Sequence, residues 1–307
     1  MKPDQPIVSV IVPFYGVEKY IAQCAESLLL QTYPHIQYIF VNDGSKDRSA
    51  EVLSNVLLRY PERDVRVVEQ ENAGIPQARA AGLRQATGRY ILHVDSDDWV
   101  ETDAVERLVA CAEATEADLV YFDVWKEYGS HRKLSRERDY TAAEKVTYLR
   151  RLYRDKAYGF LCTKFARREL YEGVFFPRYN MHEDIVVATQ LIFKASRLVH
   201  LDMPLLHYRR DNQSAATRVS KVRRRGQSAR NFLDLYEAYA GCLEGSPVEP
   251  VLNDILLRSA WVGFTLDRNL FTERPYLRGM ARRLPLIPGH RVLLIQQLVL
   301  KVYLNLL

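Results

Sequence analysis

Short apolar runs alternate with amphipathic segments along the first 123 residues of the chain. Residues 7–12 are rich in β-branched side chains, whereas residues 17–30 place apolar side chains at the spacing of one helix face. The same pattern predicts further strands over 36–41, 65–68, 90–94 and 119–122, and further helices over 50–58, 74–86 and 102–114. Alternation with short links predicts a Rossmann-like α/β fold, in which helices cover both faces of a mostly parallel sheet.

The pattern is less regular after residue 123. It predicts a loop over 126–138, short helices over 142–151 and 167–171, a helix from His182 to about residue 195, an extended stretch over 198–207, and long helices over 219–239 and 248–270. We therefore expect an α/β domain over 1–215, which divides into a regular half (1–123) and a less regular half (124–215). A helical region over 216–307 is expected to follow.

Polar clusters follow three of the predicted strands, at residues 42–45, 71–74 and 95–98. Ligands of open parallel sheets bind outside the carboxyl ends of the strands. The three clusters are therefore expected to meet at one edge of the sheet.

The cluster at 95–98 places three carboxylates in four residues, Asp95, Asp97 and Asp98, with Ser96 between the first two. Carboxylates this close repel one another, and burying them without a cation is costly. A divalent ion with oxygen ligands would relieve that conflict, and Mn²⁺ or Mg²⁺ needs few protein carboxylates when phosphates complete its shell. The alternative is a polar turn that caps the following helix, but the position at a strand end favours a metal site.

Three other positions admit two interpretations each. Asp43 caps a helix or accepts hydrogen bonds from a nucleobase or ribose. Arg79 lies on a helix surface or offers its guanidinium to a diphosphate. Glu183 and Asp184 open a predicted helix, where acidic side chains are favourable in any protein, or they contribute to catalysis.

Residues 7–123 resemble the family 2 glycosyltransferases, inverting enzymes with the GT-A fold. The matching elements are the strand from Val8 to Pro13 with Tyr15, then Glu26-Ser27-Leu28 with Gln31, Val41 to Ser45, Glu71 to Gly74 with Ala78-Arg79, Gly88, and Asp95 to Trp99. The family usually has Asn after the tyrosine, where this chain has Gly16.

The resemblance implies that residues 1–215 form a catalytic domain, with a nucleotide-binding half (1–123) and an acceptor-side half (124–215). It also implies roles for particular residues. Pro13 and Tyr15 would line the base pocket, and the nucleotide-sugar site would also include Asp43, Arg79, Asp95 and Ser96. Asp97, with Asp95, would hold Mn²⁺ or Mg²⁺. Asp184 would be the catalytic base, with Glu183 as the weaker candidate. Further site candidates are Glu18, Asn72, Gly74, His207 (a metal ligand or a packed core histidine), and Arg209 or Arg210 (against the leaving diphosphate).

The implied reaction is an inverting transfer of a hexose or N-acetylhexosamine from a UDP-sugar to a saccharide or lipid-linked saccharide of a surface polysaccharide. A sugar nucleotidyltransferase is disfavoured, because it needs a Gly-rich basic loop where this chain has Pro13-Phe14-Tyr15-Gly16. A non-catalytic sugar-nucleotide-binding or scaffold protein remains the alternative.

The net charge of +5 is concentrated in Arg-rich stretches at 209–230 and 274–291. No nucleic-acid-binding signature accompanies them, so we expect no nucleic-acid partner. Residues 290–307 form an amphipathic pattern with a wide apolar face, which leaves three interpretations: packing on the enzyme, a homodimer seam, or contact of 274–307 with a membrane surface. Four scattered cysteines and the absence of a signal-peptide pattern indicate reduced buried thiols and a cytoplasmic enzyme, on the inner face of the membrane if the tail binds there.

Overall fold

A computed structural model describes residues 5–153, 157–210, 220–243, 249–277 and 279. Within these ranges, nine strands form one sheet in the order β3-β2-β1-β4-β8-β6-β9-β5, and β7 pairs with β6. The strands are β1 (Val8–Phe14), β2 (Ile36–Asn42), β3 (Asp64–Glu69), β4 (Tyr90–His93), β5 (Trp99–Val100), β6 (Leu119–Glu127), β7 (Arg132–Ser135), β8 (Lys164–Arg167) and β9 (Leu198–Arg209).

Helices pack on both faces of this sheet, as the sequence predicts. They are α1 (Ile21–Leu29), α2 (Ser49–Leu57), α3 (Ile75–Gln85), α4 (Ala104–Thr115), α5 (Lys145–Leu152), α6 (Glu183–Lys194), α7 (Lys221–Leu243), α8 (Glu249–Thr265) and α9 (Asn269–Glu273). Alternate side chains of one strand enter opposite layers: Ile11 packs with α3 and α6, whereas Val10 and Val12 pack with α1 and α4.

The first four strands of the sheet order, β3-β2-β1-β4, are all parallel. Phe14 pairs with Asn42, which pairs with Glu69, and Ile11 pairs with His93. The carboxyl ends of these strands therefore lie at one edge, and the three polar clusters follow them there. This confirms the predicted convergence of the clusters.

The second half of the sheet is mixed. β8 is antiparallel to both β4 and β6, while β6 and β9 are parallel. The predicted loop over 126–138 is wrong, because β6 continues to Glu127 and pairs with β7 in a hairpin. The short strands β5 and β8 were not predicted. Pro204 does not end β9; it falls where the register against β6 shifts beside Asp123, which is where a strand tolerates a residue without an N–H.

The cysteines are free thiols, but Cys242 is exposed and Cys111 is only partly buried, contrary to the prediction that all four are buried. No helix within the described ranges is long and apolar enough to cross a bilayer. The proposed boundary at 215–216 and the tail at 290–307 fall outside the described residues. Of the arginines predicted to form the second basic stretch, Arg274 is described, and it pairs with Asp234 and Glu237 of α7.

A glycine sets the distance between α3 and the sheet. A Cβ atom on Gly82 would collide with Ile11 Cγ2, and it would lie 3.2 Å from Val41 Cγ2. Ile11 is fully buried and β-branched, so it has little freedom to move away. The close approach of α3 to β1 and β2 therefore depends on the missing side chain.

We expect Gly82→Ala to lower the free energy of unfolding, because overpacking costs about 1–3 kcal/mol and outweighs the ~1 kcal/mol that alanine adds to a helix. Gly241→Ala is the matched control: Gly241 is also helical, but no atom of the described residues lies within 4 Å of its added Cβ. This variant should be as stable as the parent or slightly more stable. Urea unfolding followed by circular dichroism compares the two, and equal stability would contradict the packing argument.

Candidate active site

The carboxylate of Asp43 organises the loop between β3 and α3. Its Oδ1 accepts hydrogen bonds from Gln70 Nε2 and the Ala73 N–H, both at 2.8 Å, and its Oδ2 accepts from the Gly74 N–H at 2.9 Å. Asn72 Nδ2 also donates to the Asp43 carbonyl at 3.0 Å. Asp43 is 3% exposed, and these partners are all protein groups. A nucleobase in the predicted contact with Asp43 would have to donate to the carboxylate lone pairs that these three hydrogen bonds leave free.

The loop after β1 lies against the loop after β2. Pro13 is buried in β1, whereas Tyr15 just beyond the strand is 45% exposed. Glu18 Oε2 accepts a hydrogen bond from the Arg48 N–H at 3.0 Å. Glu18 thus links the two loops, and the exposed ring of Tyr15 is available to a ligand.

The acidic segment after β4 forms a tight turn, which we call the acid corner (Asp95, Ser96, Asp97 and Asp98). The Asp98 N–H donates to the Asp95 carbonyl at 3.0 Å. Asp98 is buried, and its Oδ1 accepts from the Arg209 N–H at 2.8 Å, while its Oδ2 has no hydrogen-bond partner among the described residues. Burial and the charges of Asp97 and Asp95 raise the pKa of Asp98 well above its usual value. The turn therefore places one buried carboxyl group, Asp98, beside the partly exposed acidic side chains of Asp95 and Asp97.

This corner fits a hard divalent cation. Ligand atoms of Asp95, Asp98 and Cys162 lie within 4.8 Å of one another. Burial raises the pKa of the Cys162 thiol, and Asp95 and Asp98 raise it further. Sulfur is also a soft ligand, whereas Mg²⁺ and Mn²⁺ prefer oxygen. Oxygen ligands from the acidic residues, completed by phosphate oxygens, match the preference of Mn²⁺ or Mg²⁺. The sequence interpretation gave no ligand role to Asp98 or Cys162, and the direct role assigned to Asp97 stays a prediction.

Arg79 joins the acid corner to α6. Its Nη2 donates to Asp95 Oδ1 at 2.6 Å, and its Nε donates to Glu183 Oε1 at 3.0 Å. Although burial opposes the charged form, Glu183 and Asp95 raise the pKa of Arg79 above its usual value. The sequence predicts that this guanidinium binds a diphosphate. In the structure, two of its N–H groups are already bonded to protein carboxylates. Its buried Nη1 has no partner among the described residues.

The two acidic residues at the start of α6 have different surroundings. Glu183 is 4% exposed and bound to Arg79, whereas Asp184 is partly exposed. Burial raises the pKa of Asp184 most; His182 and Arg79 lower it, and Asp95 raises it. Burial likewise raises the pKa of Glu183, against the effect of Arg79. An accessible carboxylate with a raised pKa suits a general base better than a buried one in an ion pair.

His207 lies between two carboxylates: Glu127 Oε1 is 2.7 Å from its Nδ1, and Glu101 Oε1 is 3.0 Å from its Nε2. Its ring also stacks on Trp99. A metal ion could bind His207 only after one of these contacts broke, so the structure favours the packed histidine of the two interpretations.

The two candidate arginines have different surroundings. The guanidinium of Arg209 lies over the rings of Tyr20 and Trp99, and its Nε donates to the Asp97 carbonyl at 3.0 Å. Arg209 therefore supports the acid corner directly. Arg210 is exposed, and its guanidinium lies over the ring of Tyr208.

The sequence interpretation also missed Asn180. Its Oδ1 accepts a hydrogen bond from the Ile75 N–H at 3.1 Å, and this side chain occupies the space beside Gly74. Gly74 has φ of +92°, so a side chain there would be strained as well as blocked. Gly74 was selected as a site candidate from the sequence, but Asn180 is more than a hundred residues away and no local pattern reveals it.

Residues 9–175 match the family model "Glycosyl transferase family 2". The uncharacterized glycosyltransferase EpsJ of Bacillus subtilis is 34% identical over 224 residues, which cover 70% of this chain and 64% of EpsJ, just under two thirds of its length. The crystal structure of S. aureus TarS with UDP-GlcNAc aligns at a TM-score of 0.63 and 19% identity, over 97% of this chain and 81% of that one. A mannosyltransferase of Pyrobaculum calidifontis, with GDP-Man and Mn²⁺, aligns at 0.57 and 18% identity over 99% and 88%. These matches confirm the family resemblance and the GT-A fold.

We expect Asp43→Ala to release the loop that this carboxylate holds. Bonds to a charged acceptor contribute about 1.5–3 kcal/mol each, so the amides of Ala73 and Gly74 should exchange with deuterium at least about tenfold faster. Asp47→Ala is the control, because Asp47 binds the N–H groups of Glu18 and Ser49 in the neighbouring loop. Unchanged exchange at 73 and 74 in the Asp43 variant would show that the loop holds its shape without this side chain.

Proposed function

The chain belongs to glycosyl transferase family 2, and from that premise we propose that it is an inverting, metal-dependent enzyme that uses a nucleotide-sugar donor. The acceptor is a hydroxyl of a saccharide or lipid-linked saccharide in the synthesis of a surface polysaccharide. The observation that carries this proposal is the bridge of Arg79 between Asp95 and Glu183. It holds the acid corner and the first turn of α6 together, so donor and base would share one site.

The donor is a UDP-sugar carrying a hexose or N-acetylhexosamine. UDP-GlcNAc bound to TarS supports this choice, and GDP-Man, which the mannosyltransferase binds, is the competing donor to include in the test. Tyr15 would stack on the base beside Pro13, and Asp43 would contact it. Asp95 and Ser96 would face the ribose, and Arg79 would lie near the base and phosphates; Asn72 and Gly74 complete this edge of the site.

Asp97 and Asp95 would hold the divalent ion. Bound there with the diphosphate, Mn²⁺ or Mg²⁺ would neutralise the charge that grows on the leaving group. Asp98 Oδ2, which is buried and has no hydrogen-bond partner in the part of the chain that the structure describes, supports this assignment, because a nearby cation would stabilise the ionised form.

In the proposed reaction, Asp184 is the general base. The acceptor oxygen attacks the anomeric carbon and forms the new glycosidic bond, while the bond from that carbon to the β-phosphate oxygen breaks. The hydroxyl proton passes to the Asp184 carboxylate, and the nucleoside diphosphate leaves with the bonding electrons. Attack opposite the leaving group inverts the anomeric configuration. Glu183 cannot easily take the proton, since Arg79 holds it in the interior.

The remaining expectations are part of the same proposal. Residues 1–215 would form the catalytic domain, and residues 216–307 a helical region. The basic stretch and tail at 274–307 would then contact a membrane or a second copy of the chain. A lipid-linked acceptor would then meet a cytoplasmic enzyme at the inner membrane face. A liposome flotation assay with and without residues 290–307 tests the membrane contact, and equal flotation of both forms would remove it.

We expect the chain with Mn²⁺ to release nucleoside diphosphate from at least one donor of a nucleotide-sugar panel, and a chelator to abolish that release. Asp97→Ala should weaken donor binding only when metal is present, as measured by calorimetry. Asp103→Ala is the control, because Asp103 pairs with Arg107 on the surface of α4. Binding without release from any donor would instead favour the non-catalytic sugar-nucleotide-binding protein.

We expect Asp184→Asn to keep donor affinity and lose transfer by roughly 10²–10⁴-fold, the usual contribution of a general base. Because the carboxylate is the active form and its pKa is raised, the parent enzyme should lose kcat as pH falls through a value above that of an ordinary aspartate.

Asp202→Asn is the matched control, since Asp202 is 67% exposed and pairs with Arg136 rather than with any residue of the acid corner. Transfer by Asp184→Asn at a near-parent rate would overturn the assignment, and Glu183→Gln would be the next variant to measure.

A further inference from the structure

The peptide that leads into α6 is held by a side chain from α7. Asn231 is fully buried, and its Nδ2 donates to the carbonyls of Tyr179 at 2.6 Å and Met181 at 3.0 Å. Its Oδ1 accepts from the Tyr179 N–H at 3.1 Å. Both polar atoms of this amide are thus bound to the backbone at positions 179 and 181, shortly before Asp184.

The next residue, His182, has an unusual backbone and a second contact with α7. Its φ is +56°, which is left-handed and disfavoured for a residue with a side chain. A hydrogen bond of 2.6 Å joins its Nδ1 to Ser228 Oγ, and its ring stacks on Phe232. Since left-handed residues persist only where their surroundings hold them, these α7 contacts stabilise the turn that starts α6.

The other side of this peptide is bound to the nucleotide-binding half. Asn180 accepts a hydrogen bond from the first residue of α3, Ile75, and Glu183 binds Arg79 of the same helix. The backbone from 179 to 183 is therefore fixed between α3 and α7. Helix α7 lies beyond the residues that match the family model, which end at 175.

We propose that Asn231 and Ser228 of α7 are positioning residues for catalysis, which hold residues 179–182 so that the first turn of α6 keeps Asp184 in place against the acceptor. The inference rests on the proposed function, because it takes Asp184 as the base. It makes the C-terminal helical region a part of the catalytic site.

The chemistry of the contacts favours this role over simple packing. Helices that only cover a core use apolar side chains, and α7 does so with Phe232, Leu233 and Leu235. A buried amide is costly unless each polar atom is bonded, and this one directs its bonds to one short peptide. Misplacing a catalytic group by about 1 Å can reduce the rate by ~10²-fold.

The experiment measures kcat, donor KM and donor affinity for Ser228→Ala, which removes one hydroxyl and leaves Asn231 intact. Ser259→Ala is the matched control: Ser259 is also buried, but its hydroxyl faces the Ala229 carbonyl between α8 and α7. We expect Ser228→Ala to lower kcat about tenfold with donor affinity unchanged, Ser228→Thr to retain kcat, and Ser259→Ala to match the parent.

A double-mutant cycle with Asp184→Asn separates positioning from stability. If Ser228 acts through Asp184, Ser228→Ala should cause no further loss of kcat once that carboxylate is gone. An equal fold-loss in both backgrounds would overturn the proposal, as would a parent-like kcat for Ser228→Ala or an equal loss for Ser228→Thr. Near-parent transfer by Asp184→Asn alone would overturn the base assignment and this inference together. A strongly impaired but measurable Asp184→Asn in which Ser228→Ala causes its full further loss would overturn only the positioning role.

Discussion

The buried ion pairs of Arg79 are the interaction on which the rest of the site depends. One guanidinium is bonded to Asp95 after β4 and to Glu183 at the start of α6. A buried carboxylate left without such a partner would be strongly destabilising. Arg79 therefore fixes the acid corner and the candidate base relative to each other, although Glu183 lies 104 residues away from it along the chain.

Two helices from different parts of the chain meet at the short peptide 179–183. α3 carries Arg79 and approaches the sheet closely because Gly82 has no side chain. α7 reaches the peptide from the other side through Asn231 and Ser228. Polar contacts therefore join α3, the start of α6 and α7, and none of these contacts lies within one element.

Periodicity was sufficient to predict β1 to β4 and the helices between them, because each of these elements follows its own local pattern of apolar positions. It failed for β5, β7 and β8, which are short and gain their hydrogen bonds from other strands. The candidate site divides in the same way. The acidic segment and Asp43 follow strand ends and were found from that position, whereas Asn180, Asn231 and Cys162 reach the site only through tertiary packing.

The three hydrogen bonds that the Asp43 carboxylate accepts have a consequence for ligand affinity. They hold the loop between β3 and α3 in one shape through protein contacts alone. A flexible loop would lose conformational entropy each time a nucleotide-sugar bound, and that loss would weaken binding. Here those hydrogen bonds form when the chain folds, so under the proposed function a nucleotide would meet a loop that is already ordered.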